Sequence, residues 1–179
     1  MKLISLLLVL LFLGSCTREN VEPPINTSFE GDELPAQESW NSTIFFTDSG
    51  KTRAILTAGH LRVYAHSKET LLDSSVQVDF YNMNEVKTTT LTSKRGRVDE
   101  NTNNLYAMDS VVTVNDSGIV VTTEEMMWRH EDRKIISDKF VTIVSPNEII
   151  HGYGFESDQH LQNYIIYNIT YITKTDTIK

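Results

Sequence analysis

Apolar and polar residues alternate with a period of two along most of the chain from Ser39 onward. This alternation is typical of strands with one buried and one solvated face. Polar clusters with turn chemistry, such as Asp48-Ser49-Gly50 and Pro146-Asn147, separate the runs. So many short strands at close spacing predict an antiparallel all-β sandwich, roll or barrel. The candidate strands span residues 43–47, 53–57, 61–64, 76–81, 88–92, 96–98, 105–108, 111–114, 119–123, 126–128, 134–137, 140–144, 148–152 and 162–173.

The segment from Thr123 to Lys134 also fits a helix. It contains helix-forming residues, a threonine that could cap the first turn, and Glu125 and Arg129 at the i, i+4 spacing of a helical ion pair. Local propensity therefore leaves a helix and a β-hairpin both open. The repeat described next favours strand, turn, strand.

A loose repeat runs through the predicted strands. Asp73, Asp109 and Asp138 are each followed by apolar residues three and five positions later. We interpret each unit as two strands joined by a polar turn, which buries its apolar face only by stacking on other units. The alternative is that any alternating antiparallel sheet produces such a match by chance. Upstream of the three aspartates lie the similar pieces Leu56-Thr57-Ala58, Leu91-Thr92-Ser93 and Val121-Thr122-Thr123.

The repeat also assigns a face to each residue of these strands. If the units stack, alternate side chains line one continuous apolar interior, and the residues between them face out. The predicted outward residues are Gln77, Asp79, Thr113 and Thr142. The predicted lining of the interior consists of Val76, Val78, Phe80, Val112, Val114, Val141 and Ile143.

The N-terminus predicts a targeting segment and not part of the fold. An apolar run from Leu3 to Leu13, too short for a relaxed membrane span, precedes Gly14-Ser15-Cys16. This arrangement resembles a bacterial lipoprotein signal, in which Cys16 is lipidated. The alternatives are a plain signal peptide or an uncleaved anchor. We therefore expect a signal peptide over residues 1–15, a proline-rich linker over residues 16–38 and a β domain over residues 39–179.

Composition narrows the function classes. An apolar fraction of 40% in 179 residues suits a single globular domain with its own core. A net charge of −8 without a basic stripe makes nucleic acid a poor partner. Because Cys16 is the only cysteine, the chain forms no internal disulfide, and burial must hold the domain together.

No catalytic pattern stands out along the chain. The sequence has no G-x-S-x-G, H-E-x-x-H or P-loop motif, and lipidation of Cys16 would remove the only thiol nucleophile. Acid pairs such as Glu124-Glu125 fit solvated turns. We expect no enzyme activity, no cofactor and no metal site, since the histidines do not come in metal-ligand spacing. The five histidines are His60, His66, His130, His151 and His160.

Three stretches of the chain carry diffuse β-repeat signatures and not catalytic fingerprints. They are Gly118 through Trp128, GIVVTTEEMMW; Lys134-Ile135-Ile136 followed by the strand of Val141; and Gly152-Tyr153-Gly154-Phe155. Together these stretches resemble the LptC family, the periplasmic component of the lipopolysaccharide export machine, and more distantly its OstA-like relatives. The resemblance covers roughly residues 39–173.

The resemblance implies an open antiparallel β-jellyroll, V-shaped in section and built from repeated strand pairs. It implies that the protein receives lipopolysaccharide from an inner-membrane ABC transporter and passes it along an apolar groove to an LptA/OstA-like periplasmic bridge protein. Successive jellyrolls would pair through their edge strands. The domain would then lie in the periplasm on its lipid anchor. The residues after Cys16 leave the inner and the outer membrane both open, and a position on the receiving side of the transporter favours the inner membrane. The best-known members instead use an uncleaved transmembrane helix.

Two further features bear on this picture. The long, nearly uncharged C-terminal strand is a hazard if left unpaired, so we expect it to be the outgoing edge, with Tyr164, Ile166, Asn168 and Thr170 on it. The cluster Lys94-Arg95-Gly96-Arg97 could meet a lipid phosphate at the rim, or it could be a solvated turn.

Two other function classes stay open. An envelope enzyme would need converging polar groups in a pocket. A structural adaptor lipoprotein would have a closed core and no lipid groove.

Overall fold

The computed structural model describes residues 34–174, which form ten β-strands. The predictions for the signal segment, for Cys16 and for most of the linker concern residues outside this range. The strands are β1 (Gln37–Asp48), β2 (Lys51–Tyr64), β3 (Glu69–Tyr81), β4 (Lys87–Ser93), β5 (Arg95–Asp99), β6 (Asn104–Asn115), β7 (Val120–Arg129), β8 (Lys134–Val144), β9 (Glu148–Asp158) and β10 (Tyr164–Lys174).

All ten strands belong to one antiparallel sheet. The order is β1-β2-β3-β4-β6-β7-β8-β9-β10, and β5 continues the position of β4 between β3 and β6. The sheet does not close into a barrel, so β1 and β10 are its two edges. This confirms the prediction of an all-β, open antiparallel jellyroll. Among residues 34–174, no helix has the length and apolar character needed to cross a membrane.

The strands are longer than predicted because several predicted gaps are β-bulges. The predicted pieces 105–108 and 111–114 form the single strand β6, whose pairing with β7 shifts register between Met108 and Val111. At this shift Asp109 and Ser110 have positive φ angles of 66° and 55°. A bulge bends a strand without ending it, and turn-like residues fit both structures.

The repeated aspartates mark these bends. Asp73 precedes Ser74 and Ser75, whose φ angles are 59° and 73°. Asp109 lies within the bulge of β6, and Asp138 lies within the register shift between β8 and β9. Each copy of the repeat therefore coincides with a bend in its strand. These bends allow the single sheet to fold over, so that its inner faces pack against each other.

The region from Thr123 to Lys134 is strand, turn, strand, as the repeat predicts. Strand β7 continues to Arg129, and β8 begins at Lys134. Arg129 pairs with Asp132 across the turn, with a distance of 2.8 Å from its Nε to Oδ1. Glu125 instead pairs with Lys139 of β8. The helical alternative is therefore wrong, because both ion pairs stabilise the hairpin.

The predicted faces of β6 are wrong. Val111 and Thr113 are buried, with 1% and 0% of their surface exposed, whereas Val112 is half-buried and Val114 is 40% exposed. In β3 the two residues with positive φ follow the repeated aspartate, but in β6 the aspartate is itself the first of the two. The bulge thus comes one residue earlier, and a shift of one residue exchanges the faces of a strand.

Apolar interior and exposed sheet edges as the candidate functional site

The predicted groove residues of β3 and β8 lie together inside the folded sheet. Val78, Phe80 and Ile143 are 0% exposed, and Val76 and Val141 are equally buried. The structure thus brings five of the seven predicted residues to one face and leaves Val112 and Val114 on the other. Other strands contribute interior residues that the sequence reasoning did not select, although they follow the same alternation: Leu56, Leu91, Val121, Ile135 and Phe155.

Trp128 connects distant parts of the sheet inside this interior. Its ring lies 5.5 Å from that of Phe80 on β3 and 5.5 Å from that of Phe46 on β1, measured between centroids. Only 1% of its surface is exposed. The apolar faces of β1, β3 and β7 therefore pack against one another, and the interior is filled by side chains in this conformation.

The turn between β9 and β10 packs against the ends of other strands. Leu161 in this turn is fully buried. His160 Nδ1 lies 2.6 Å from the Thr88 hydroxyl, Gln159 Nε2 donates to the Tyr81 carbonyl at 3.3 Å, and Asn115 Nδ2 donates to the His160 carbonyl at 3.0 Å. This turn therefore connects β3, β4 and β6 to the C-terminal end of the sheet.

The carboxylate of Asp158 organises the same turn. Burial raises its pKa, but hydrogen bonds from the Asn163 side chain and from the backbone N–H groups of Gln162 and His160 outweigh burial and lower the pKa below its usual value. The ionised carboxylate is thus the form that the fold stabilises.

The predicted partner edge is an edge of the sheet. On β10, Tyr164 and Ile166 are half-buried against the core, whereas Asn168 and Thr170 are exposed. The strand also exposes large apolar side chains between these positions: Ile165, Tyr167, Ile169 and Tyr171 are 52% to 61% exposed. The opposite edge exposes Trp40 and Phe45 on β1. Both edges thus present apolar surface, which free edges normally avoid.

The two arginines of the basic cluster at residues 94–97 have acidic partners. Arg95 forms an ion pair with Asp109 at the bend of β6, and its hydrogen bond lowers the pKa of that carboxyl. Arg97 pairs with Glu69, and its guanidinium lies 4.2 Å from the centre of the Tyr106 ring. These contacts favour a structural role for both arginines.

The described residues hold no arrangement of three or more His, Cys, Asp or Glu side chains that could bind a metal ion. His60 instead connects three strands. Its Nε2 lies 2.6 Å from Glu38 of β1, and its Nδ1 lies 3.1 Å from Asp73 of β3.

A comparison with protein families agrees with this architecture. The family model described as "Lipopolysaccharide-assembly, LptC-related" matches residues 3–170. No curated protein matches the chain. The chain therefore belongs to the LptC family of lipopolysaccharide-assembly proteins, and it is a non-enzymatic component of lipopolysaccharide transport in the periplasmic cell envelope.

Proposed function

We propose that this protein receives lipopolysaccharide from an inner-membrane ABC transporter and passes it along its apolar interior to an LptA/OstA-like periplasmic bridge protein. One observation carries this proposal: a single open sheet turns a face rich in apolar residues inward and leaves both edge strands free. An open seam between edges allows a chain-like lipid to enter sideways. A closed barrel would have no such seam.

The interior has the chemistry that acyl chains require. Each CH₂ group removed from water is stabilised by about 0.8 kcal/mol, so several acyl chains gain a large free energy in an apolar trough. Val78, Phe80 and Ile143 are fully buried by other side chains. Lipid entry therefore requires the two halves of the folded sheet to separate, and acyl chains then replace contacts between side chains.

The edges supply the route between proteins. β10 is the proposed outgoing edge, where Tyr164, Ile166, Asn168 and Thr170 alternate with exposed apolar residues. A strand of the bridge protein would add to this edge through main-chain hydrogen bonds, so that the apolar inner face continues into the partner.

We further propose that the domain is tethered to the inner membrane through acyl chains on Cys16. Two or three acyl chains on one cysteine anchor a protein durably without spanning the membrane. Replacing Cys16 with serine should abolish metabolic labelling of the protein by radioactive palmitate. Labelling that persists in this variant would contradict the anchor and leave the groove proposal intact.

The groove proposal is tested with a photo-crosslinking amino acid at neighbouring positions on opposite faces. Val78 and Ile143 face the interior, and Gln77 and Thr142 face outward. Irradiated cells should give lipopolysaccharide adducts at positions 78 and 143 and none at 77 and 142. Equal labelling of both faces would contradict the assignment of the groove.

A second candidate function follows from the filled interior. An adaptor lipoprotein with a permanently closed core would have the same buried residues and would bind partners only through its edges. The same experiment separates the two candidates, because an adaptor gives no adducts at any of the four positions while its protein contacts persist.

A further inference from the structure

A pocket of about 260 Å³ lies where the β1–β2 turn approaches the β7–β8 turn. Its apolar part comes from Phe46 and Trp128, whose rings belong to the interior described above. The remaining lining is polar and comes from Thr47, Asp48, Arg53, His130, Glu131 and Arg133. We call this site the seam pocket.

Three nitrogen atoms of residues that line the seam pocket are buried without a hydrogen-bond partner among the described residues. They are Trp128 Nε1, Arg53 Nε and His130 Nδ1. Trp128 is 1% exposed and Arg53 is 4% exposed, so bulk water does not solvate them. Trp128 Nε1 and Arg53 Nε are always donors, whereas His130 Nδ1 donates only when it carries the proton. Unpaired buried donors are rare in native proteins, and two beside one pocket favour a ligand that accepts hydrogen bonds.

Two arginines and two acidic residues line the pocket, and the arginines are the groups that an anionic acceptor would contact. Arg53 Nε lies 3.8 Å from Asp48 Oδ2, and the Arg133 guanidinium hydrogen bonds to the same oxygen. Two guanidinium groups thus share one carboxylate. Arg53 Nη1 donates to the Asn82 carbonyl at 3.2 Å, which fixes the direction of the buried side chain. The carboxylates of Asp48 and of the exposed Glu131 oppose an anion.

We propose that the seam pocket binds a phosphate group. Arginine guanidinium groups match the geometry of phosphate oxygens, and charge-assisted hydrogen bonds from them are stronger than neutral ones. The indole N–H of Trp128 adds a neutral donor, and His130 adds another when its Nδ1 carries the proton. Phosphate on a lipid headgroup and free inorganic phosphate share this chemistry.

The position of the pocket favours a phosphate with an apolar body attached. Phe46 and Trp128 line the pocket and also belong to the apolar interior or pack against it. A phosphorylated glycolipid could therefore place its phosphate among the arginines and its acyl chains against these rings. This assignment of the source rests on the proposed function, whereas phosphate binding itself does not.

The two tryptophans provide a direct readout. Trp40 is 64% exposed on β1 and serves as the internal reference for Trp128. The full chain, labelled with ¹⁵N-tryptophan in phosphate-free detergent micelles, should give two indole N–H resonances. Addition of inorganic phosphate should move the Trp128 resonance downfield in a saturable way and leave that of Trp40 in place. A Trp128 resonance that does not respond to phosphate or to phosphorylated glycolipid would overturn the site.

Three variants test the charges. Arg133→Gln should weaken phosphate binding about tenfold, because it removes one charge-assisted hydrogen bond. Glu131→Gln should strengthen binding, because it removes one of the two opposing charges. Arg95→Gln is the matched control, since Arg95 is also an ion-paired arginine but lies at the bend of β6. Equal affinity in all three variants would contradict binding in the seam pocket.

A final comparison identifies the source of the phosphate. Micelles containing a phosphorylated acyl-glucosamine lipid are compared with micelles containing its dephosphorylated form. A Trp128 shift that requires the phosphorylated lipid and exceeds the effect of equimolar inorganic phosphate supports the headgroup. Equal effects of the two phosphate sources would support free phosphate instead. Loss of the shift with intact lipid crosslinks at position 78 would overturn the seam pocket and leave the transport proposal standing.

Discussion

The hydroxyl oxygens of Thr123 and Ser137 lie 3.2 Å apart, buried at the bend where β7 and β8 lose their register. Thr123 Oγ1 donates to the Phe140 carbonyl at 2.9 Å, and Ser137 Oγ donates to the Glu125 carbonyl at 2.7 Å. The two side chains therefore satisfy backbone carbonyl groups that the bend withdraws from the ladder between the strands.

Removing either hydroxyl should destabilise the bend. We expect Thr123→Val and Ser137→Ala each to lower the free energy of unfolding by about 1–2 kcal/mol, because a buried carbonyl loses its donor. The double variant should show a smaller effect than the sum, since the two groups also contact each other. Thr122→Val, on the outer face of the same strand, is the control. Urea denaturation measures the free energy of unfolding of all four variants. Strictly additive effects of Thr123→Val and Ser137→Ala would contradict a shared hydrogen-bond network.

The corrected faces of β6 predict opposite outcomes for neighbouring valines. Val111→Thr should lower the free energy of unfolding by about 1–3 kcal/mol, because it places a hydroxyl in the apolar interior. Val112→Thr should change it by less than about 0.5 kcal/mol, because that side chain faces outward. Thermal and chemical denaturation of the two variants would decide the matter. A larger loss for Val112→Thr would restore the assignment made from the repeat.

Gly59 allows β2 and β3 to approach closely at their bend. A methyl group at this position would overlap the Ser74 carbonyl oxygen and lie 2.8 Å from Ser74 Cβ. Gly59→Ala should therefore lower the free energy of unfolding by about 1–3 kcal/mol, as overpacking does elsewhere. Thr57→Ala, an exposed site on the same strand, should have a much smaller effect. Equal stability of the two variants would show that the strands separate there without cost.

The turn between β9 and β10 should depend on pH through Asp158. Its pKa is lower in the folded state, so it contributes stability above the ordinary aspartate pKa, and this contribution is lost as the pH falls through the folded pKa. At neutral pH, Asp158→Asn should destabilise the protein by about 1 kcal/mol, since the site is partly exposed. The difference from the wild type should shrink as the pH falls through the lowered pKa of Asp158. Asp138→Asn, at an exposed carboxylate, serves as the control; a difference for Asp158→Asn that is constant with pH would argue against ionisation as the cause.

Charges on the C-terminal edge should block handover to the bridge protein. Ile169→Lys and Tyr171→Lys replace side chains that are 52% and 60% exposed, so the fold should tolerate them. Charged residues on an edge prevent pairing with another strand. Together they should abolish capture of the bridge protein in a pull-down while lipid crosslinks at position 78 persist.

The matched control for this experiment is Phe45→Lys on the opposite edge. Phe45 is 61% exposed on β1 and should not affect capture of the bridge protein. Truncation after Asn163 is a coarser form of the same test, because it also removes Tyr164 and Ile166, which pack against the core. Normal capture by the double lysine variant would exclude β10 as the outgoing edge.

Much of the architecture was determined by local patterns in the sequence. Alternation with a period of two gave the strands, since successive side chains of a strand point to opposite faces. The repeated aspartates marked recurring positions that proved to be bends, and the hairpin of Trp128 followed from the same repeat. The resemblance to the LptC family also rested on sequence alone and agreed with the family match.

The tertiary structure decided two things. One is the face of the sheet that each residue of a bulged strand occupies, and the other is which residues distant in sequence are in contact. Local alternation does not reveal whether a bulge begins at Asp109 or one residue later, yet this choice exchanges Val112 and Thr113 between faces. The seam pocket joins Asp48 to Arg133, which are 85 positions apart. No local pattern places them together, because their contact exists only after the sheet folds its two halves onto each other.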